Sequence, residues 1–254
     1  DWTRTYNDDG YYLVAATSGN TLAGTDGAAS PGNFGNFENV DISGYKWIDT
    51  DGQADWNGTE DGYVGWKIYL GIDYTGDGVS DEAVGNITTG ADGKYEFLNL
   101  GPLDNPAYQY IVYEAANDGS STDADWTRTY NDDGYYLVAA TSGNTLAGVK
   151  GAGAEAAPAD SAAGNFGNFK NVDISGYKWL DTNGDGNWDD LEIGLEWDIN
   201  LYIWTDAGSE GSEGNGLVDA GELIFVKTVT TDTTDTTTGY YEFTNLGPLA
   251  AGQQ

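Results

Sequence analysis

One module repeats along this chain of 254 residues, and the repetition limits the possible folds more than any other feature of the sequence. Long blocks recur in the same order with few or no changes. Residues 1–24 recur as residues 125–148, residues 33–50 as 165–182, and residues 95–103 as 241–249. The spacer after the first block differs in length and sequence between copies, which is typical of an exposed loop. We therefore expect tandem copies of one structural unit.

The repeated blocks have the pattern of short β-strands. Runs such as DISGYKWI, GWKIYLGI, GKYEFLNL, YQYIVYEA and GYYLVAAT alternate or are rich in aromatic residues, and turns of Gly, Asp, Asn and Thr separate them. No helical periodicity of useful length is present. The pattern predicts an all-β fold of tandem antiparallel β-sandwich modules, Ig-like or prealbumin-like.

Module boundaries follow from the order of the blocks. Residues 40–170 are predicted to form a complete β-sandwich repeat. Residues 1–39 match the C-terminal strands of a preceding or neighbouring module, and residues 171–254 form a second repeat that lacks its last strands. Residues 1–39 contain most of what the second repeat lacks, apart from a strand equivalent to YIVYEA.

Composition excludes several classes of function. Cysteine, histidine and methionine are absent, so disulfides, thiolate or imidazole metal sites and Ser-His or Cys-His nucleophiles are excluded. The formal charge of −33, from 42 acidic and 9 basic residues, argues against nucleic acid or an anionic membrane as a partner. No apolar run approaches the length of a membrane span, so no membrane insertion is expected. Oxygen ligands for a cation remain.

The loop DTNGDGNWDDLE, residues 181–192, has the spacing of an EF-hand calcium loop. Hard oxygen ligands at alternate positions can wrap a Ca²⁺ ion, Gly186 permits the sharp bend, and a final glutamate can close the shell with both oxygens. The predicted ligands are Asp181, Asn183, Asp185, Asn187, Asp189 and Glu192.

The corresponding loop of the first repeat, DTDGQADWNGTE, is a degraded version of the same pattern. Gln53 and Ala54 replace the Asp-Gly pair, so one anionic ligand and the bend-permitting glycine are lost. We expect weaker calcium binding or altered coordination here, with Asp55 as a substitute ligand. The candidate ligands are Asp49, Asp51, Gln53, Asp55, Asn57 and Glu60.

A second acidic turn follows the next predicted strand in each repeat. We interpret both as calcium-binding loops, with a plain solvated turn as the alternative. In the first repeat the candidates are Asp73, Thr75, Asp77, Asp81 and Glu82. In the second they are Asp206, Glu213, Asn215, Asp219 and Glu222, where an insertion displaces the first ligand.

These motifs together resemble the B-type domains of serine-aspartate repeat surface adhesins, which are related to collagen-adhesin B domains. The resemblance rests on ISGYKWLDTNGDGNWDDLEIGL, NGLVDAGE, TTGYYEFTNLGPL, YIVYE and TLAG with NFGNF. It implies a rod of calcium-binding β-sandwich repeats without catalytic activity, and it maps the family's first calcium loop onto Asp181, Asn183, Asp185 and Glu192. Long spacers and the degraded loop at Gln53 and Ala54 depart from the family pattern.

Related domains can also carry a Lys-Asn isopeptide bond promoted by a buried glutamate, which directs attention to Lys46, Lys178 and Glu114. In the segment YKW the lysine alternates with Tyr45 and Trp47, and those aromatic residues are expected to occupy the core face. We therefore predict that the crosslink is absent.

The sequence favours a structural module of an extracellular filament or surface stalk, not an enzyme. The alternative is a calcium-dependent carbohydrate-binding or adhesive module of a secreted protein, which an exposed row of aromatic residues would favour. Catalysis would require an Asp/Glu pair of the glycosidase kind. Sequons at Asn57 and Asn86 are compatible with glycans on an extracellular, cell-surface protein.

The partner expected for this chain is a copy of itself. A sandwich that lacks strands exposes an unpaired edge and an apolar face, and such an edge is a template for another chain. We predict that residues 1–39 of one copy complete the 171–254 repeat of the next, by strand donation or as a continuous tandem polypeptide. That arrangement is head-to-tail and does not close, so it propagates a filament.

Overall fold

The computed structural model is described for residues 1–57, 60–114, 125–131, 133–150, 164–189, 191–206, 216–219, 221–232 and 238–254. Within these residues the fold is all-β, as predicted, with one 3-10 turn at Ala91–Gly93 and no α-helix. The same residues contain no helix with the length and apolar character needed to cross a membrane. The strands are β1 (Trp2–Tyr6), β2 (Gly35–Glu38), β3 (Val40–Ile48), β4 (Lys67–Asp73), β5 (Glu82–Thr88), β6 (Lys94–Leu100), β7 (Gln109–Tyr113), β8 (Trp126–Tyr130), β9 (Tyr135–Ala139), β10 (Thr145–Ala147), β11 (Phe166–Lys170), β12 (Val172–Tyr177), β13 (Asp198–Trp204), β14 (Leu223–Thr230) and β15 (Tyr240–Leu246).

The chain divides into two compact units. The first is formed mainly by residues 1–48, 54–116 and 130–167, and the second mainly by residues 168–254. The main division of the chain lies between Gly167 and Asn168, and the predicted repeat bounds stay predictions.

The first unit contains a sandwich of two sheets and, separately, the two-stranded sheet of β1 and β2. In one sheet β3 lies beside β6, β10 and the start of β11, and in the other the order is β5, β4, β7, β9. Most neighbours are antiparallel, as predicted, but β10 runs parallel to β3. The exception arises because β9 and β10 belong to different sheets, and a crossover between sheets allows a parallel pair.

The core of the first unit lies between these sheets. Alternation along β3 places Val40 and Ile42 on the buried face, where both are fully inaccessible. Opposite them, β4 and β7 contribute alternate aliphatic residues. The buried cluster consists of Val40, Ile42, Ile68, Leu70, Tyr95, Tyr110, Val112, Val138 and Phe166.

The second unit repeats part of this arrangement. β12 pairs with β15 as β3 pairs with β6, and β13 pairs with β14 as β4 pairs with β5. β8 lies beside β11. Among the described residues, no strand pairs with the second edge of β12, and only Gln253 and Gln254 reach the second edge of β13, at its C-terminal end. Both sheets of this unit therefore have an open edge.

Several contacts within residues 1–39 match those of their counterparts among the described residues of 125–171. Thr3 Oγ1 donates to Asn39 Oδ1 at 2.7 Å, as Thr127 donates to Asn171 at 2.7 Å. In the same way, the Asn7 side chain donates to the carbonyl oxygen of Tyr11 at 3.0 Å. β1 and β2 form a separate antiparallel ribbon. This segment thus shares contacts with the closing part of a module, although residues 11–15 and 21–23 are not strands as their counterparts β9 and β10 are.

Candidate metal loops and an open apolar face

The first acidic loop, residues 49–60, brings three carboxylates together. One ligand oxygen from each of Asp49, Asp51 and Glu60 lies within 4.8 Å of the others, and the described residues contain no other such group of three acidic side chains. Asp49 and Glu60 are buried, whereas Asp51 is exposed. Hard carboxylate oxygens are the ligands that calcium prefers. This donor set therefore fits a divalent cation.

Backbone N–H groups orient the three carboxylates. Asp49 Oδ1 accepts a hydrogen bond from Gly52 N at 2.7 Å, and Glu60 Oε2 accepts one from Asn57 N at 3.1 Å. Asp51 Oδ1 accepts one from Gln53 N at 3.1 Å. A carboxylate offers about four lone-pair sites, so one such hydrogen bond can position the group without using all of its acceptor capacity.

The other predicted ligands of this loop play different parts. Asp55 lies outside the group of three carboxylates. Gln53 directs its amide nitrogen to the carbonyl oxygen of Asp51 at 3.2 Å. Ala54 has a φ of 59°, in the left-handed region, although it is not a glycine. The bend that glycine makes in the other copy is therefore retained here with a strained residue.

The second copy of this loop, residues 181–192, satisfies its acids mainly with its own backbone. Asp181 accepts hydrogen bonds from Gly184 N at 2.6 Å and Gly186 N at 2.9 Å. The hydrogen bond from Gly186 is the main reason that the pKa of Asp181 lies below its ordinary value of 3.8. Gly186 has a φ of 80°, as the predicted sharp bend requires.

An asparagine amide lies among the acids of this second loop. Asn183 Nδ2 donates to Asp185 Oδ2 at 3.2 Å and to Asp189 Oδ2 at 3.1 Å. Asp185 Oδ1 accepts from Asn187 N at 2.8 Å. The described residues of this loop, which leave out Asp190, do not bring three carboxylates within the distance found in the first loop. The geometry therefore favours the loop that the sequence ranked as the weaker one.

A glutamate closes three of the four acidic loops in the same way. Glu60, Glu192 and Glu222 are all buried, and each accepts a hydrogen bond from the backbone N–H three residues before it, at 3.1, 3.2 and 2.7 Å. A tryptophan indole N–H also donates to each glutamate, through the backbone carbonyl of Glu60 and Glu192 and through the side chain of Glu222. The twelfth position of the pattern is thus structurally equivalent in these loops.

In the turn of residues 73–82, the Asp73 carboxylate accepts hydrogen bonds from the backbone of the turn. It is buried and accepts hydrogen bonds from Gly76 N, Gly78 N and Thr75 N at 2.6 to 2.8 Å. Burial raises the pKa of Asp73, but the backbone N–H groups outweigh this effect and hold the pKa below 3.8. Thr75 Oγ1 also donates to Asp73. The remaining candidate ligands make other hydrogen bonds. Asp77 accepts one from Val79 N, and Asp81 accepts one from Tyr74 N. Glu82 accepts one from the Tyr74 hydroxyl, and this bond raises the pKa of Tyr74 to about 12.

The second-repeat turn at residues 206–222 is described only in part. Asp206 Oδ2 accepts a hydrogen bond from Gly216 N at 2.9 Å, and Asp219 N donates to Glu222 Oε2. The predicted ligands Glu213 and Asn215 lie outside the described residues. The metal assignment of this turn and of residues 73–82 stays a prediction.

Lys46 corrects one expectation from the sequence. Its side chain is buried, with Nζ at 3.5 Å from Glu114 Oε2, although Tyr45 and Trp47 were expected to exclude it from the core face. The signal was present, because alternation counted from Val40 places residues 42, 44 and 46 inward. Trp47 is buried on the other face, where it stacks on Trp56 with ring centroids 5.2 Å apart. The burial of Lys46 removes the reason for expecting no crosslink, and the absence of a crosslink stays a prediction.

Identical residues differ in burial between the two copies of one strand. Val40 and Ile42 in β3 are both 0% exposed, whereas their counterparts in β12, Val172 and Ile174, are 48% and 40% exposed. An apolar cavity of about 710 Å³ opens on this part of the second unit. Its apolar lining includes Val172, Ile174, Leu201, Ile203, Val226 and Leu246. The second unit thus presents an uncovered core face.

Comparison with known proteins adds little. No family model and no curated protein matches this chain. Solved structures similar to it include the shaft pilin SpaA from Lactobacillus rhamnosus GG, at 12% identity and a TM-score of 0.32, with 83% of this chain and 82% of that chain covered. A double mutant of that pilin has the same identity and TM-score, with 83% of each chain covered. A likeness this low carries no argument about function, which must be argued from the loops and faces above.

Proposed function

We propose that this protein is a structural, calcium-stabilised repeat module of an extracellular filament or surface stalk. The observation that carries the proposal is the contrast between β3 and β12, where Val40 and Ile42 are buried but Val172 and Ile174 are exposed. Exposed apolar faces of this kind mark interaction surfaces. In the buried copy, the sheet of β5, β4, β7 and β9 lies over this face and β10 and β11 flank β3, and the sequences of β9, β10 and the start of β11 recur within residues 1–39.

The cover is residues 1–39 of another copy. In the first unit, β10 and β11 flank β3, and both sequences occur in residues 1–39, at 21–23 and 34–37. β2 belongs to a two-stranded ribbon, and no strand pairs with its second edge in the part of the chain described, although Glu38 at its end is hydrogen-bonded to Ser142 and Gly143. Adding a strand to an open sheet edge forms main-chain hydrogen bonds, and the side chains set the register.

This interaction uses different surfaces on the two copies. One copy contributes residues 1–39, and the next contributes the open face of residues 171–254. A contact of this kind leaves an unused site at each end of the assembly, so it propagates a filament unless the rotation closes a ring. A surface stalk or filament requires this property and no catalytic group.

Calcium would stabilise the module through its acidic loops. Like charges about 4 Å apart repel by roughly 4 kcal/mol at an effective dielectric constant of 20, and the carboxylates of Asp49, Asp51 and Glu60 are that close. An ion bound among them would remove the repulsion and bind only the folded loop, which raises stability by mass action. The other predicted ligand sets would add to this effect in proportion to their occupancy.

Deletion of residues 1–39 tests the assembly. The shortened chain should remain folded by circular dichroism, because all the buried residues of the core lie within residues 40–170 and only the partly buried Phe37 packs against it from residues 1–39. It should no longer form the concentration-dependent polymers that we expect of the intact chain in sedimentation velocity and electron microscopy. Polymers of undiminished length from the shortened chain would refute the head-to-tail arrangement.

A further inference from the structure

The assembly proposed above needs a residue that fixes its register, and Phe34 has the position for it. Its counterpart in the complete module, Phe166, is 0% exposed and belongs to the core of the first unit, whereas Phe34 is 59% exposed. Both lie in the sequence GNFGNF, at 32–37 and 164–169. The same segment therefore occurs once as part of a core and once with its aromatic ring uncovered.

The contacts of the buried copy define what the uncovered copy would meet. Lys46 Nζ donates to the carbonyl oxygen of Phe166 at 3.4 Å, and Asn165 Oδ1 accepts from Tyr45 N at 3.0 Å. The Tyr95 hydroxyl donates to the carbonyl oxygen of Gly164 at 2.6 Å. These contacts join the segment GNF to strand β3 and to Tyr95.

Strand β12 has the same groups on the edge opposite β15, where no strand pairs with it among the described residues. A Cβ atom added at Gly44 in β3 would lie 1.9 Å from the carbonyl oxygen of Gly164, which shows how closely the neighbouring chain approaches. At Gly176, the counterpart in β12, the nearest atoms all belong to Tyr241, and the closest is 2.9 Å away. Tyr241 is the counterpart of Tyr95 in the repeat. The position of the approaching backbone is thus open in the second unit.

Residues 1–39 already hold Phe34 in the conformation of the core copy. The ring centroids of Tyr12 and Phe34 are 5.3 Å apart at 64°, and those of Tyr136 and Phe166 are 5.3 Å apart at 67°. The Tyr12 hydroxyl donates to the carbonyl oxygen of Asn33 at 2.8 Å, as Tyr136 does to Asn165 at 2.7 Å. Preorganisation of this kind reduces the ordering penalty of binding.

We propose that Phe34 of one copy is the anchor residue that enters the apolar cavity beside Val172 and Ile174 of the next copy, with residues 21–23 added to the free edge of β12 and β2 beside the residues that follow it. This inference rests on the proposed function and specifies its partner and register. By analogy with the core copy, Asn33 Oδ1 would accept from Tyr177 N, and Tyr241 would donate to the carbonyl oxygen of Gly32. Phe34 is a hot spot of the interface because it is a large aromatic group in a fully desolvated pocket.

The test uses one variant on each side of the contact. Phe34→Asp removes the anchor but leaves the cavity, and Ile174→Arg blocks the cavity but leaves the anchor. Each variant alone should be monomeric by sedimentation velocity in calcium-containing buffer. An equimolar mixture should give a dimer and no larger species, because one intact anchor meets one intact cavity and both ends are then blocked. The dimer also demonstrates that both variants are folded.

Matched controls separate this effect from a general loss of apolar surface. Leu13 is almost fully exposed in the donor segment, and its counterpart Leu137 does not belong to the core cluster. Leu191 is equally exposed in the second unit. Leu13→Asp and Leu191→Arg should assemble as the unmodified chain does. Phe34→Ala, a milder change, should weaken assembly by roughly 30-fold or more.

The outcomes distinguish the two proposals. If the unmodified chain stays monomeric at every concentration, the proposed function fails. If it assembles but Phe34→Asp and Phe34→Ala assemble equally well, the anchor assignment is overturned and the filament proposal stands. A mixture of two folded variants that remains monomeric overturns the anchor assignment as well, and so does an equal loss of assembly in the Leu13→Asp control.

Discussion

At the scale of single residues, the ion pair of Lys46 and Glu114 is the most constrained feature of the first unit. Both side chains are buried, and Lys46 Nζ also lies 4.8 Å from the centroid of Trp66. A buried ion pair is not in itself a large source of stability, because desolvation of both charges opposes their attraction. Loss of one partner lowers the stability strongly, because it leaves an uncompensated charge in the core.

We therefore expect Lys46→Met to lower the free energy of unfolding by about 3–5 kcal/mol, and the double change Lys46→Met with Glu114→Leu to lower it by much less. Chemical denaturation of the three proteins measures this. Lys178→Met in the second unit is the matched control, because Lys178 is only partly buried. Equal losses in the single and double variants would contradict this account. Intact mass checks the predicted absence of an isopeptide bond, whose formation releases one ammonia.

Ala54 is a second residue whose conformation has a measurable consequence. Its φ of 59° disfavours any residue with a Cβ atom, and the equivalent loop has Gly186 there. Ala54→Gly should therefore raise the free energy of unfolding by about 1 kcal/mol, the relief of strain being partly offset by the greater entropy of glycine in the unfolded chain. Thermal unfolding measures the change. Ala83→Gly in β5, a strand position without strain, should instead lower the melting temperature.

At the scale of elements, the acidic loops are attached to strands whose register places their acids. β3 ends at Ile48, immediately before Asp49, so the rigid strand determines where the first loop begins. The closing glutamate is then held by a backbone N–H and a tryptophan indole. A loop that is held at both ends in this way is preorganised, and preorganisation would lower the ordering penalty of binding a cation.

Calcium binding by these loops predicts a specific order of effects. A chelator should lower the melting temperature substantially, because the ion binds the folded loops and not the unfolded chain. Glu192→Ala should reduce calcium affinity more than Asp185→Ala does, since the glutamate can supply two ligand oxygens and the aspartate one. Calorimetric titration with calcium measures both variants. A melting curve that excess chelator leaves unchanged would refute calcium stabilisation.

At the scale of the whole molecule, the net charge of −33 opposes contact between copies. Any assembly must therefore overcome repulsion with apolar burial and strand pairing. Added salt screens exposed charges, since the Debye length falls from about 10 Å at 0.1 M to about 3 Å at 1 M.

Assembly should accordingly strengthen as monovalent salt is raised. Calcium at equal ionic strength should strengthen it further, because bound ions also reduce the net charge. Light scattering at constant protein concentration measures this. A steady loss of polymer with rising salt would show that attraction between charges drives the contact, contrary to the apolar interface proposed here.

The sequence by itself determined the all-β class, the repeated blocks and the segments of the acidic loops. These features are local, since alternation, turn residues and ligand spacing are each contained within a few consecutive residues. The equivalence of residues 1–39 and 125–171 was also readable, because identical sequences in similar surroundings form the same local contacts, as Tyr12 and Tyr136 show.

Only the tertiary structure decided which loop gathers its carboxylates and which face of YKW is buried. The degraded loop brings Asp49, Asp51 and Glu60 together, while Asn183 lies between acids of the better-matched loop. Lys46 is buried because Glu114, distant in sequence, neutralises it there. Likewise, VDISGY is buried in β3 and exposed in β12, although its sequence is the same. Burial depends on neighbours brought from elsewhere in the chain, and identical residues cannot report whether those neighbours are present.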